Sequence, residues 1–142
     1  MKLQNLLEQN GCSVILTRSD ENAIYDLDKT TLREKKISDI RNRVKIGNSS
    51  SADIFVSIHM NSYTNHSLRG AQVFYDGKND ISLLISKSIQ KLFHERLPSS
   101  KAEVSTGDYF MLKCSTAPAI IAECGFLSNA EDEANLINPD YK

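Results

Sequence analysis

The sequence has no excess of charge of either sign, no long apolar run and no paired cysteines, and each absence excludes a class of protein. Lys and Arg number 17 against 18 Asp and Glu, for a formal net charge of −1. That leaves no electrostatic footprint for nucleic acid or an acidic membrane surface. No apolar stretch approaches the ~20 residues that a transmembrane helix needs. The opening Met1-Lys2-Leu3-Gln4-Asn5-Leu6-Leu7 lacks the continuous apolar core of a signal peptide. Any export signal is therefore expected outside this chain, or not at all. Cys12, Cys114 and Cys124 are odd in number and widely spaced, with no C-x-x-C pair. This argues against a disulfide framework and against a structural zinc knuckle. Each cysteine neighbours an apolar run and is expected to be a buried, inert thiol.

What is present is one domain's worth of chain, 142 residues with 40% hydrophobic content. Residues 1–142 are read as a single domain, without internal repeat, low-complexity tract or linker. Five segments read as strands: Val14–Thr17, Ile54–His59, Val73–Tyr75, Tyr109–Leu112 and Ala119–Ala122. Their Val, Ile and Phe content, bounded by Gly, Ser, Asn and Pro, is the strand signal. The second and fifth lack clean alternation, as expected of central strands covered on both faces.

Helical patterns lie between them. Leu3, Leu6 and Leu7 share a helical face, with Gly11 as a C-cap. Thr31-Leu32-Arg33-Glu34 is a capping box, followed by Ile37, Ile40 and Val44 on one face. Ile81, Leu84, Ile85, Ile89, Leu92 and Phe93 form a second stripe that Pro98 is expected to end. Ser128-Asn129-Ala130-Glu131 predicts another capped helix, stopping before Pro139. Strands alternating with helices predict an α/β fold: a mostly parallel, twisted sheet flanked by helices on both faces.

Two side chains carry chemistry. His59 ends the run Ile54-Phe55-Val56-Ser57-Ile58, which delivers an imidazole to a strand's C-terminal edge, where α/β folds bind ligands. It is a candidate metal ligand; the alternative is a structural histidine closing a strand. Asn61 and Ser62 just beyond it place polar groups where they line a site. Glu123 ends Ala119-Ile120-Ile121-Ala122, and a carboxylate there is costly unless paired, near a metal or in a cleft. A general base needs such partial desolvation, which raises its pKa toward the working pH. The alternative is a solvated Glu at a strand end. Cys124 is expected on the opposite face of the strand, and Gly125 is expected to let the backbone turn into the next helix.

The segments Ser57-Ile58-His59-Met60-Asn61-Ser62, Gly70-Ala71-Gln72-Val73-Phe74-Tyr75 and Pro118-Ala119 with Ala122-Glu123-Cys124-Gly125-Phe126-Leu127-Ser128-Asn129 together resemble the zinc-dependent N-acetylmuramoyl-L-alanine amidases. Val14-Ile15-Leu16-Thr17-Arg18, Arg43 with Gly47-Asn48, Ala52-Asp53, and Asp132-Glu133 with Asn135-Leu136 support the resemblance in the family's order. The Gly70–Tyr75 wording and the acidic-basic stretch Asp26–Asp39 look most like the germination-specific, spore-cortex branch.

The resemblance implies that His59 is a zinc ligand and Glu123 the catalytic base. It implies cleavage of the amide between N-acetylmuramic acid and the L-alanine of the stem peptide. It also implies peptidoglycan as partner and action in the cell envelope, outside the membrane. The family's other two zinc ligands, a His in a Gly-His-Gly turn and a Glu opening the next helix, are missing from this chain. So is the first strand, and Ser105-Thr106-Gly107-Asp108 stands where the family has an Arg-Gly element. Neither His66 nor His94 is expected to substitute. The chain is thus expected to be incomplete at its N-terminus and at its C-terminus, to bind zinc weakly and to hydrolyse little. The alternative is a non-catalytic amidase relic that binds peptidoglycan or a partner protein.

Overall fold

A computed structural model describes residues 2–97, 99–139 and 141. The expected stop at Pro98 lies outside the described residues. The chain divides into two compact units, Met1–Ser51 and Ala52–Lys142.

The first unit holds α1 (Lys2–Gln9) and α2 (Leu32–Ser49). Gly11 has a φ of 83°, the left-handed conformation expected after α1. The Thr31 capping box is complete: its side chain accepts from Glu34 N–H, and the Glu34 carboxylate accepts from Thr31 N–H. The chain before α2 is strapped to that helix by polar side chains. Asp39 accepts from Ile24 N–H and from Arg43, while Ser38 accepts from Asp26 N–H. Val44 is buried, whereas Ile37, expected on the same apolar face, is exposed. The expected strand Val14–Thr17 is not one: no ladder forms there among the described residues, and strand propensity without a pairing partner does not make a strand. The buried-thiol expectation is corrected as well. Cys12 and Cys114 are exposed and Cys124 is half-buried, because the runs beside Cys12 and Cys114 do not close over them.

The second unit is the α/β part. Its sheet runs β1 (Phe55–Asn61), β4 (Ala119–Phe126), β2 (Gln72–Tyr75), β3 (Ser105–Thr106) in spatial order. The β1·β4 and β2·β3 ladders are parallel and β2·β4 is antiparallel, so the sheet is mixed but mostly parallel. β4 is central, and Ala119 to Ala122 are all buried, as its unbroken apolar run requires. β1, also expected to be central, is at the edge of this sheet and exposes Val56, Ile58 and Met60.

Helix α3 (Asp80–Arg96) packs on β2 and β4, and α5 (Ala130–Ile137) packs on β4. The buried face of α3 takes in only half of the expected stripe. Ile85, Ile89 and Phe93 are half-buried and Ile81, Leu84 and Leu92 are exposed, while Ser82, Ser86 and Gln90 are fully buried. These polar residues recur every four positions, and Ser82 and Gln90 serve the backbone around them, while Ser86 Oγ has no hydrogen-bond partner among the described residues. Ser82 Oγ accepts from Ala119 N–H at 2.9 Å, and Gln90 Oε1 accepts from Val73 N–H at 2.7 Å. Gln90 Nε2 donates to the carbonyl of Lys101 at 2.6 Å. A buried strand amide must find an acceptor, and here a helix side chain provides it.

Tyr109–Leu112, expected as a strand, is instead the N-cap and first turn of α4 (Phe110–Cys114). Met111 and Leu112 bury toward the core, and Met, Leu and Lys outweigh the two aromatic residues in helix preference. The α5 N-cap is Asn129, one residue past Ser128: its side chain accepts from the N–H groups of Glu131 and Asp132. Ser128 Oγ accepts from Tyr63 N–H instead.

Candidate active site

His59 and Glu123 are Cα partners across the parallel β1·β4 ladder, so two residues 64 positions apart by number stand side by side on one face of the sheet. Gln72 is the partner of Glu123 on the other side, in β2. Three polar side chains therefore cross the sheet in one row: His59, Glu123, Gln72.

Their environments differ. His59 is exposed, while Glu123 is 6% exposed and its Oε2 has no hydrogen-bond partner among the described residues. Burial pushes the Glu123 carboxyl above the ordinary carboxylate range, and the positive charge of His59 opposes that shift. Gln72 is buried and donates through Nε2 to Ser105 Oγ. Tyr109 is close enough for the charge on Glu123 to add to the upward shift of its phenol, which is mainly due to burial. Its ring meets Phe74 edge-on at 5.4 Å.

The backbone past the row is shaped by a bulge. From His59 to Asn61 on β1, the paired positions on β4 run from Glu123 to Phe126, so β4 carries an extra residue. Bulges re-aim side chains beside sites. Gly125 sits in it with a φ of 153°, and a Cβ there would come within 3.2 Å of Asp132 Oδ2. That oxygen accepts from Phe126 N–H at 2.9 Å and from Gly70 N–H at 2.8 Å. Gly70, with a φ of 90°, runs so close to Ser99 that any Cβ would collide with its carbonyl. Buried Asp132 thus ties α5, the bulge and the entry to β2 together.

The other histidines lie elsewhere. His66 is in an exposed loop, where its carbonyl accepts from Asn129 Nδ2. His94 is exposed on α3, its Nδ1 3.0 Å from the Ser100 carbonyl oxygen. Among the described residues no three His, Cys, Asp or Glu side chains come together as a metal site. A catalytic zinc takes about three protein ligands and an open water position. His59 fits one corner of such a site, and the residues present do not make the whole.

Sequence reasoning assigned no role to Gln72 or Tyr109. The signal for Gln72 was present: a polar residue opening the apolar Val73-Phe74-Tyr75 run invites the same argument as Glu123. Tyr109 carried none, because its ring lies against Gly107 and Phe74, contacts that no local pattern records.

The sequence profile of the N-acetylmuramoyl-L-alanine amidase family matches residues 1–142. The chain belongs to that family. It is 32% identical over 143 residues to the germination-specific N-acetylmuramoyl-L-alanine amidase of Bacillus subtilis (strain 168), covering 99% of this chain. It spans only 60% of that relative's length. Among solved structures, the CwlD amidase of Clostridioides difficile, in complex with the GerS lipoprotein, superposes with a TM-score of 0.91 at 34% identity. That match covers 99% of this chain and 73% of the other. The catalytic domain of CwlV, an N-acetylmuramoyl-L-alanine amidase from Bacillus (Paenibacillus) polymyxa var. colistinus, gives 0.80 at 28% identity, covering 99% and 70%. The amidase family and its α/β fold, expected from the motifs around His59 and Glu123, are both borne out.

Proposed function

We propose that this chain carries the base-bearing part of a peptidoglycan hydrolase that cleaves the amide between N-acetylmuramic acid and the L-alanine of the stem peptide. The observation that supports it best is the pairing of exposed His59 with buried Glu123, whose Oε2 has no hydrogen-bond partner among the described residues. A carboxylate so placed is available to a water molecule. Glu123 takes a proton as that water attacks the lactyl carbonyl carbon, and the proton then goes to the leaving nitrogen as the C–N bond breaks. The products are a lactyl carboxylate and a peptide with a free L-alanine amine. The zinc dependence implied by the family is part of this reading, and His59 is this chain's contribution to it. Peptidoglycan lies outside the membrane, so the reading carries action there; no described helix is long and apolar enough to cross a membrane.

A second reading has its own observation. With one ligand on hand and no three-residue metal cluster among the described residues, the chain also fits a relic that binds peptidoglycan or a partner without cutting it. Mass spectrometry of peptidoglycan incubated with purified chain and zinc separates the two. Hydrolysis predicts peptides with a new L-alanine N-terminus in low yield, reduced about 10²–10⁴-fold by Glu123→Gln. The same yield from the variant contradicts a catalytic role for Glu123. Binding with no product in either protein supports the relic.

A further inference from the structure

A pocket of about 190 Å³ opens beside the Glu123 row, with Asn61, Tyr63, Arg69, Gln72, Lys101 and Phe126 in its lining. Three of these fix its place. Gln72 is the Cα partner of Glu123, and Asn61 and Phe126 pair across the bulge just beyond His59 and Glu123. Paired strands lie about 4.8 Å apart, so the pocket begins roughly one strand away from Glu123.

The charges in its lining have one sign. Arg69 and Lys101 bring two cations and no carboxylate residue joins them. The two cations are not equivalent. Arg69 Nη1 donates to Glu131 Oε2, which orients the guanidinium and offsets its charge. The ion pairs among the described residues leave Lys101 out. Its backbone is nonetheless anchored, since its carbonyl accepts from buried Gln90. An ammonium with no ion-pair partner among the described residues, in the lining of a preformed cavity, can receive an anion that arrives with a ligand.

Substrate chemistry says where that anion sits. In uncleaved peptidoglycan the lactyl carboxyl of muramic acid is tied up in the scissile amide. The glycan next to it is neutral, and the nearby carboxylates belong to the peptide. We propose that this pocket is a carboxylate subsite that holds an acidic group of the stem peptide, on the leaving side of the amide, with Lys101 as its main charge. The class of ligand rests on the amidase reading above; the site rests on the pocket.

The test uses zinc-free chain and needs no turnover. L-alanyl-D-glutamate and its dicarboxamide are titrated into wild type, Lys101→Gln and Lys101→Arg, followed by amide chemical shifts of Asn61, Gln72 and Phe126. Lys101 is exposed, and the spectrum itself reports whether each variant is folded. The acid is expected to bind roughly tenfold more tightly than the dicarboxamide. Lys101→Gln should erase that preference and Lys101→Arg should keep it. Equal affinity for the two dipeptides, no shift with either, or a preference unchanged in Lys101→Gln overturns the subsite. A Lys101-dependent preference in a chain that never cleaves peptidoglycan would keep the subsite and remove the amidase reading. Glu123-dependent cleavage with no acid preference would do the reverse.

Discussion

β4 and β1 are neighbours in one sheet, carry one candidate residue each, and have opposite surroundings. β4 lies between two strands and is buried along nearly its whole length. β1 has one neighbour and leaves Val56, Ile58 and Met60 exposed. The difference suits the proposed roles. A base works when its site is fixed and partly dry, and β4 would give Glu123 both. A ligand position must stay open to what it binds, and β1 leaves His59 exposed. The ladder between them is what brings a dry group and a wet one to the same spot.

If that contrast is real, truncations in the two strands should differ sharply. Ile120→Ala removes a fully buried side chain from β4 and should cost about 2–5 kcal/mol in urea unfolding. Val56→Ala in β1 should stay within about 0.5 kcal/mol. Similar losses at both positions would mean that β1 is as tightly packed as β4, which breaks the comparison.

Asp132 is the next place to press, because it holds the end of β4 in its bulged path. Asp132→Ala leaves the N–H groups of Phe126 and Gly70 without their acceptor, at about 1–3 kcal/mol. The local consequence is sharper than the global one: amide exchange should quicken at Phe126 and Gly70 while Val56 and Ile58 are unchanged. A smaller loss, about 1 kcal/mol, is expected for Asn129→Ala, which removes the cap of α5 behind that same bulge.

The smallest effect is one of pH. Burial raises the folded-state pKa of Glu123, so the folded chain holds that proton to higher pH than the unfolded chain does. Protonation therefore favours the folded state. The stability linked to this group falls as pH rises from the ordinary carboxylate range through the raised folded value. Glu123→Gln has no such fall. The melting temperature of the variant minus that of wild type, measured without zinc, should increase with pH across that window. A difference that stays flat would place Glu123 in water, and β4 would no longer be the dry strand.

How much of this was legible in the sequence follows the same division. β4 was readable because its apolar run is long and its terminal carboxylate is out of character with it, and β1 because its run ends in His59-Met60-Asn61. Which of them lay at the edge was not, since pairing order is set by long-range contacts that no local pattern records. The polar centre of the buried face of α3 was hidden for a related reason. Ile81, Leu84 and Leu92 fit a helical stripe, but strand amides at Val73 and Ala119 needed acceptors, and Gln90 and Ser82 were the groups in reach. Short elements were missed or misread: β3, two residues long, was not expected at all, and α4 begins at an aromatic pair that suits a strand equally well. The candidate pair itself was legible through its motifs, whereas Gln72 joined the row only once the register was known.

The measurement that bears most directly on this division of labour is a zinc titration of purified chain, wild type beside His59→Ala and Glu123→Gln, with hydrolysis scored on the same samples. The account predicts weak uptake, below one zinc per chain. His59→Ala should lower it further, and Glu123→Gln should leave uptake unchanged while removing hydrolysis. A tightly held equimolar zinc in wild type, or uptake indifferent to His59 and lost with Glu123→Gln, would contradict it.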